Sequence, residues 1–441
     1  MRLYIFLFTL LFSVINYAQE QPMQLSLQEA IDFALKNNTN AKNATLDIAV
    51  AKKQKWETTA IGLPQINAKV DYNNWLKQQV SLIDINGDGI EDELVFGTSQ
   101  SVNATATLSQ LLFDGSYLVG LQSAKVFLEI SKNAKEKTDL QVRENTINAY
   151  GNVLLSEESM LIYERNISVL EKSLQETQSI FENGLTEEEN VEQLQITLKQ
   201  LTNGYNNAKR LNKIAQQMLN ITLGVEVDTT ITLTEHLETL AENNIALKVL
   251  ETSDDVKNTI DYKIAANDKR SKELLLKLEK TKSLPSLSAF INGGYAAYSN
   301  EFTFLEKDQR WFGSSLLGVS LNIPIFSSLQ RSAKTQRAKI NLEKADNNLT
   351  EIEKQLQFQL AAAKSNYQFA VDQWQISKEN LALAERIEQK NQTKFFEGIN
   401  TSFDLRTAQQ QLYTTQQEYL QAMLNVITKK AALETLINTT N

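Results

Sequence analysis

The chain of 441 residues has no cysteine and a single histidine, His236. Without cysteine there are no disulfides, no thiolate metal sites and no lipid-bearing N-terminal cysteine. With one histidine, most nucleophile–base pairs and zinc sites are excluded as well. Neither a phosphate loop nor a catalytic motif replaces them, so the reading is not that of an enzyme. Basic residues are outnumbered, 44 against 53 acidic, for a net charge of −9. That balance argues against nucleic acid as a partner. Proline is scarce too: Pro22, Pro64, Pro285 and Pro324 are the four, and none falls inside a helical stretch, where it would break the helix. Beyond Ile15 no run is apolar for long enough to span a membrane as a helix. The one apolar run, Leu3 to Ile15 after Met1-Arg2 and before Ala18, reads as a signal peptide over residues 1–18.

What is present is helix of unusual length. From Asp114 to Gly184 there is no proline, and at 1.5 Å per residue one helix there would be about 100 Å long. Late in it, Tyr163, Ile167, Leu170, Leu174, Thr177 and Phe181 recur at alternating steps of four and three, the a/d seam of a coiled coil. After a turn at Gly184-Leu185-Thr186 the seam resumes at Val191, Leu194, Leu198, Leu201, Tyr205 and Ala208, so the two segments should form an antiparallel hairpin with the turn as its tip. A shift of 214 residues carries that return seam onto Leu405, Ala408, Leu412, Thr415, Tyr419 and Ala422, and Gly184 onto Gly398. The chain is therefore duplicated.

The expected organisation is a first repeat over 19–224, an inter-repeat segment over 225–254 and a second repeat over 255–441. Each repeat has the same order. Ser26-Leu27-Gln28-Glu29 is a capping box that opens helical sequence to about Ala60, with a break near Asn37-Asn38. Pro64 ends it, and alternating runs at 65–77 and 102–113 read as strands before the long helix. In the second half, helix from about 255 to 282 leads through Pro285 to strand candidates at 286–299 and 311–323, then to a long helix at 328–397 with a seam at Tyr367, Ala370, Trp374, Ser377, Leu381 and Ala384. Gly151 and Gly204, inside helices, read as points of close packing rather than hinges. His236 falls in the polar segment between the repeats, which can form a short strand or a belt, and reads as structural or exposed.

Strands of about twelve residues with Tyr72, Trp75, Tyr295, Tyr298, Trp311 and Phe312 near their ends suit an outer-membrane barrel. Four strands cannot close one, and open edges are not tolerated in lipid, so several chains must contribute. A trimer giving twelve strands is the simplest solution. A soluble four-stranded cap on a coiled coil is the other reading.

These residues resemble the TolC-type outer-membrane efflux channels. Leu25 to Asn38 looks like the first helix of that family, and Leu63-Pro64-Gln65-Ile66 and Leu284-Pro285-Ser286-Leu287 look like its helix-to-strand transitions. Ile323-Pro324-Ile325-Phe326 resembles its strand-to-helix return. Phe181 to Thr186 and Phe395 to Asn400 resemble its periplasmic tips. The resemblance implies a mainly α fold with membrane β: duplicated antiparallel coiled-coil hairpins forming a helical tunnel, and four strands per chain in a shared twelve-stranded trimeric barrel. It implies a homotrimer in outer-membrane lipid that extends into the periplasm. It also implies no chemistry, with substrate accepted from an inner-membrane pump and a periplasmic adaptor of a tripartite efflux or type I secretion system. The runner-up is a non-channel periplasmic scaffold.

The resemblance further places a pore constriction after the second tip glycine, at Asp404 and Thr407, only the first of which is acidic. Three Asp404 carboxylates about one axis would attract cations; the alternative is an ordinary first-turn aspartate. Gly184, Leu185, Thr186, Gly398, Ile399 and Asn400 are the candidates for adaptor docking. No cofactor is required. Asp84, Asn86 and Asp88, with Asp92 beyond Gly89, follow the spacing of a calcium loop, but Val95 stands where the closing bidentate glutamate belongs. An acidic, glycine-rich turn is the other reading of that loop.

Overall fold

The computed structural model of the protein describes residues 23–85, 87, 89–251 and 255–438; the signal-peptide segment lies outside them. The elements in order are β1 (Met23–Leu25), α1 (Leu27–Asn37), α2 (Thr39–Ala60), β2 (Gln65–Asn74), β3 (Val80–Ile83), β4 (Asp92–Val95), β5 (Gln100–Phe113) and α3 (Gly115–Glu182). There follow α4 (Glu188–Leu223), β6 (Ile231–Leu233), α5 (Leu237–Asn243), two short 3-10 turns, α6 (Ile260–Thr281), β7 (Ser286–Ser299), β8 (Phe312–Asn322), α7 (Gln330–Phe396) and α8 (Ser402–Ile437). The chain divides into two compact units, and each draws on both halves of the sequence. One holds the described residues up to Leu46 with Asn133–Lys263 and the chain from Ile352; the other holds Asp47–Lys132 and Ile264–Glu351.

The first unit is helical. The return seam shifted by 214 residues is buried throughout, at Leu405, Ala408, Leu412, Thr415, Tyr419 and Ala422. In the first hairpin Leu170, Leu194 and Leu201 form a cluster on which Tyr163, Ile167, Leu174, Leu198 and Tyr413 pack. The two helical glycines are sites of close approach, because a Cβ on Gly151 would lie 2.6 Å from Leu424 and one on Gly204 2.7 Å from the Tyr163 ring.

The inter-repeat segment is strapped onto these helices. β6 pairs in parallel with β1, Met23 opposite Ile231. The Tyr150 hydroxyl donates to the Leu25 carbonyl at 3.1 Å, and the Tyr367 hydroxyl donates to the Asn244 carbonyl at 2.7 Å while accepting from Ala246 N–H at 2.9 Å. Both tyrosines are fully buried, and burial pushes both hydroxyls above the usual tyrosine pKa. His236 precedes α5 with no side-chain cap and stays exposed, 3.9 Å from Glu158.

The second unit carries the four-stranded antiparallel sheet, in the order β2-β5-β7-β8. Its centre is the β5–β7 pair, which joins one repeat to the other, Ala104 opposite Tyr295. Its edges are β2 and β8. At the helix-to-strand junction Gln110 Nε2 donates to the Gly62 carbonyl at 2.7 Å, and Tyr117 stands so close to Gly62 that a Cβ there would meet its ring at 2.3 Å.

Three expectations need correction. The first strand ends at Asn74, since the small hairpin β3–β4 follows where one long loop was expected. The third 3.6-period stretch begins not at Asp255 but at Ile260, behind a separate 3-10 turn over Val256–Asn258 in which the Lys257 N–H is capped by the Asp255 side chain. The last long helix begins at Gln330, not Ser328, because Ser328 and Leu329 take left-handed backbone angles, φ 47 and 64, that a right-handed helix cannot include.

Candidate functional site: an amphipathic sheet and two helical tips

The strand register sorts side chains onto two unlike faces. One transverse row reads Ile66, Leu108, Ile291, Leu317, and another Val70, Ala104, Tyr295, Gly313. Between them on the opposite face lie Asn67, Thr107, Asn292, Leu316 and then Lys69, Thr105, Gly294, Ser314. The polar face is internally bonded: Asn292 Nδ2 donates to Thr107 Oγ1 at 3.1 Å, and Lys69 pairs with Asp71 at 2.9 Å. The apolar face is not covered, since Ile66, Val70, Tyr295, Leu317 and Val319 are all exposed. An exposed apolar face of this extent marks a surface that meets a membrane or a partner. No helix among the described residues is long and apolar enough to cross a membrane.

The two tips close by one mechanism. At the first, Gly184 at φ +72 donates to the Phe181 carbonyl at 2.8 Å and Leu185 N–H reaches Ile180 at 3.1 Å. At the second, Gly398 at φ +73 donates to Phe395 at 3.0 Å and Ile399 N–H reaches Lys394 at 2.8 Å. Both are Schellman motifs, which need the left-handed residue that glycine supplies without strain. Thr186 Oγ1 accepts from Asn190 Nδ2 at 2.7 Å, and Asn400 Nδ2 donates to Asn391 Oδ1 at 2.7 Å, so these two predicted docking residues are tied into their turns. Leu185 and Ile399 stand out into solvent.

Asp404 is exposed and belongs to a capping box that sequence reasoning passed over. Thr401 Oγ1 and N–H both reach its Oδ2, at 2.7 and 3.1 Å, and its own N–H donates to Thr401 Oγ1 at 3.2 Å. These bonds, the hydroxyl's first, hold the carboxyl below the usual aspartate range, so it is charged at neutral pH. A depressed acid stabilises above its unfolded pKa and loses that contribution as pH falls through the folded value. Thr401→Ala should therefore speed amide exchange at 401–404 near pH 7, and the difference from the parent chain should shrink in strong acid, where only the bond from Asp404 N–H to the hydroxyl is still lost. Thr407 is exposed one turn on, its hydroxyl returned to the Phe403 carbonyl at 2.8 Å.

The first tip differs at the matching place. The 214-residue shift sets Asn190 against Asp404, so only the second tip brings a carboxylate there. Sequence reasoning also missed Phe403, exposed beside Ile399 in the chain with Arg406 5.4 Å above its ring. The signal was available, as Phe403 and Arg406 flank Leu405 off the seam.

Asp84 accepts from Gly87 N–H at 2.7 Å and Gly89 N–H at 2.9 Å, while Asp92 opens β4 opposite Ile83. Asn86 and Asp88 lie outside the described residues, and among those described no group of three acidic, histidine or cysteine side chains is placed to hold a metal.

With this geometry in view, the sequence matches the outer membrane efflux protein family over residues 30–225 and 265–439. Among curated proteins none matches significantly. Solved structures do: CusC, at TM-score 0.75 and 17% identity, over 93% of this chain and 91% of that one. The outer membrane protein VceC of Vibrio cholerae follows at TM-score 0.72 and 14% identity, over 93% and 96%. The CmeC outer membrane channel of Campylobacter jejuni aligns at TM-score 0.71 and 18% identity, over 93% and 85%. At these identities the likeness establishes the fold, that of outer-membrane channels with a helical tunnel and a β-barrel. The family is one of passive channels that work as trimers with adaptor and pump partners. The chain belongs to the outer membrane efflux protein family and is an outer-membrane efflux channel reaching into the periplasm.

Proposed function

We propose that three copies of this chain form one passive duct, through which an inner-membrane pump, coupled by a periplasmic adaptor, exports its cargo. The observation that carries the reading is the open amphipathic sheet. Edges β2 and β8 present unpaired backbone groups that lipid cannot satisfy, and pairing β8 of one copy with β2 of the next closes a twelve-stranded barrel, apolar outside and polar within.

The helices support the same stoichiometry. On α4 Leu211, Ile214, Met218 and Ile221 are exposed at steps of three and four, and on α7 Phe369, Ile376 and Leu383 at steps of seven. These are coiled-coil seams that the described residues leave largely uncovered. A second copy fits them.

The Asp404 carboxylates then form the constriction ring, with Thr407 behind them and no second acidic ring. Leu185, Thr186, Ile399 and Asn400, on turns shaped by Gly184 and Gly398, meet the adaptor. Single-channel recording in a planar bilayer tests the duct and the ring together. Discrete cation-selective steps are expected, with selectivity reduced in Asp404→Asn, whose amide keeps the shape but not the charge. Steps with unchanged selectivity would leave Asp404 a capping residue only. Absence of conductance from inserted trimers would overturn the open-duct reading.

A further inference from the structure

The connection between β7 and β8 does not simply turn between its strands. Tyr72, Val102 and Ala297 form the last row of the apolar face at the hairpin end of the sheet. Residues of the connection come back over that row: Phe302 and Phe304 pack edge-to-face on the Tyr72 ring, at 5.8 and 6.0 Å between centroids, and on each other at 5.6 Å. Ala297 is left with no exposure and Phe304 with 6%. Because Tyr72 sits on edge strand β2, the connection crosses the outside of β5 to reach it. The flap is fastened by Thr303 Oγ1, which bonds Ser299 Oγ at 3.0 Å and Gln309 Oε1 at 2.6 Å.

The flap exposes the charged Glu301, Glu306, Lys307, Asp308 and Arg310, and among them two large apolar side chains. Leu305 is 88% exposed and Phe302 59%. Phe302, packed on Tyr72, continues the face that Val70, Tyr295 and Leu317 begin, and that face is the lipid-facing one in the proposed duct. A neighbouring copy would add its strand to β2 in the plane of the sheet, whereas the flap stands off that plane. We propose that the 300–311 connection is a membrane-interface anchor, with Phe302 and Leu305 inserted among the lipids of the outer leaflet and the Tyr72–Phe302–Phe304 cluster as its rigid base. Aromatic rings are favoured at that depth, where one end is dry and the other wet. This inference rests on the duct reading, because it takes the apolar face as the lipid face.

The absence of cysteine makes the test clean. Single cysteines replace Leu305, Tyr295 and Ile90 in separate full-length variants, each carries a nitroxide, and each is reconstituted into phospholipid vesicles. Tyr295 reports on the sheet face, and Ile90 on the exposed β3–β4 turn. The ratio of oxygen to water-soluble nickel-chelate collision rates should be severalfold higher at 305 and 295 than at 90. A ratio at 305 equal to that at 90, with 295 still in lipid, would overturn the anchor and leave the duct intact. Low collision with both reagents at 305 would seat the flap on the neighbouring copy and also overturn it. An aqueous signal at 295 would instead remove the duct reading on which the anchor stands.

Discussion

Replacing Glu434 by alanine should destabilise the protein by about 3–5 kcal/mol, as expected when one member of a buried ion pair is removed. Glu434 lies on α8 and is nearly inaccessible. Its Oε2 faces Arg143 Nη2 of α3 at 2.9 Å, and its Oε1 faces Lys430 Nζ at 3.5 Å. Their side chains are only 11%, 7% and 15% exposed for Arg143, Glu434 and Lys430. Lys430 also donates to Asn244 Oδ1 at 3.1 Å, so the carboxylate anchors the inter-repeat segment through the lysine. Removing it takes away the carboxylate that two largely buried cations face and loosens the strap. Replacing Arg143, Lys430 and Glu434 together by methionine, methionine and leucine should recover most of the loss, because the desolvation cost leaves with the charges. Thermal unfolding of the detergent-purified protein measures both. A midpoint shift for Glu434→Ala no larger than that for Lys378→Ala, which removes an exposed pair with Glu242 at 3.1 Å, would show that water reaches the cluster.

That cluster shows which parts of the fold the sequence discloses. Local and periodic features were legible: the capping box forms as read, with Ser26 N–H on Glu29 Oε2 at 2.8 Å, and the helix breaks at Asn38 as expected. Prolines 64, 285 and 324 stand between elements, and the second return seam is buried throughout, with Val191, Leu194, Leu201 and Ala208 of the first buried at the matching positions. What the sequence concealed depends on partners far along the chain. Arg143 and Glu434 carry no shared motif, and the pairing of β5 with β7 across the repeats follows no local rule. Division into compact units that each cross both repeats is equally non-local.

The site was legible unevenly for the same reason. Alternation in each strand foretold an amphipathic sheet, but the transverse rows that make one face apolar needed the register. Both tip glycines were found because their left-handed turn is a local requirement. Asp404 was identified through family likeness, although the Thr401-x-x-Asp404 spacing already announces its capping bonds. The back-folded flap at Phe302 and Phe304 was invisible, since nothing between Ser299 and Phe312 announces a return to Tyr72.

The glycines that end helices α3 and α4 supply the second large effect. Gly184 and Gly224 have nearly the same backbone, φ +72 and +78, so alanine at either incurs the left-handed cost of roughly 1–2 kcal/mol. Their surroundings differ. Nothing lies within 4 Å of a Cβ at Gly184, which is free at the tip. A Cβ at Gly224 would lie 2.4 Å from the Asn37 carbonyl oxygen and 2.7 Å from its carbon, both backbone atoms that cannot rotate aside. That backbone is itself held where α1 ends, because Asn38 Nδ2 donates to the Thr222 carbonyl at 2.8 Å and Asn38 Oδ1 caps α2 through Asn40 N–H, also at 2.8 Å. Gly224→Ala should therefore cost clearly more than Gly184→Ala, about 3–4 kcal/mol in all, within the range of severe single substitutions. It should also loosen the α1–α2 junction, read as faster amide exchange at Asn38 to Lys42. Equal losses for the two variants would mean that the junction shifts without resistance, and that the break at Asn38 is set by its own cap rather than by the end of α4.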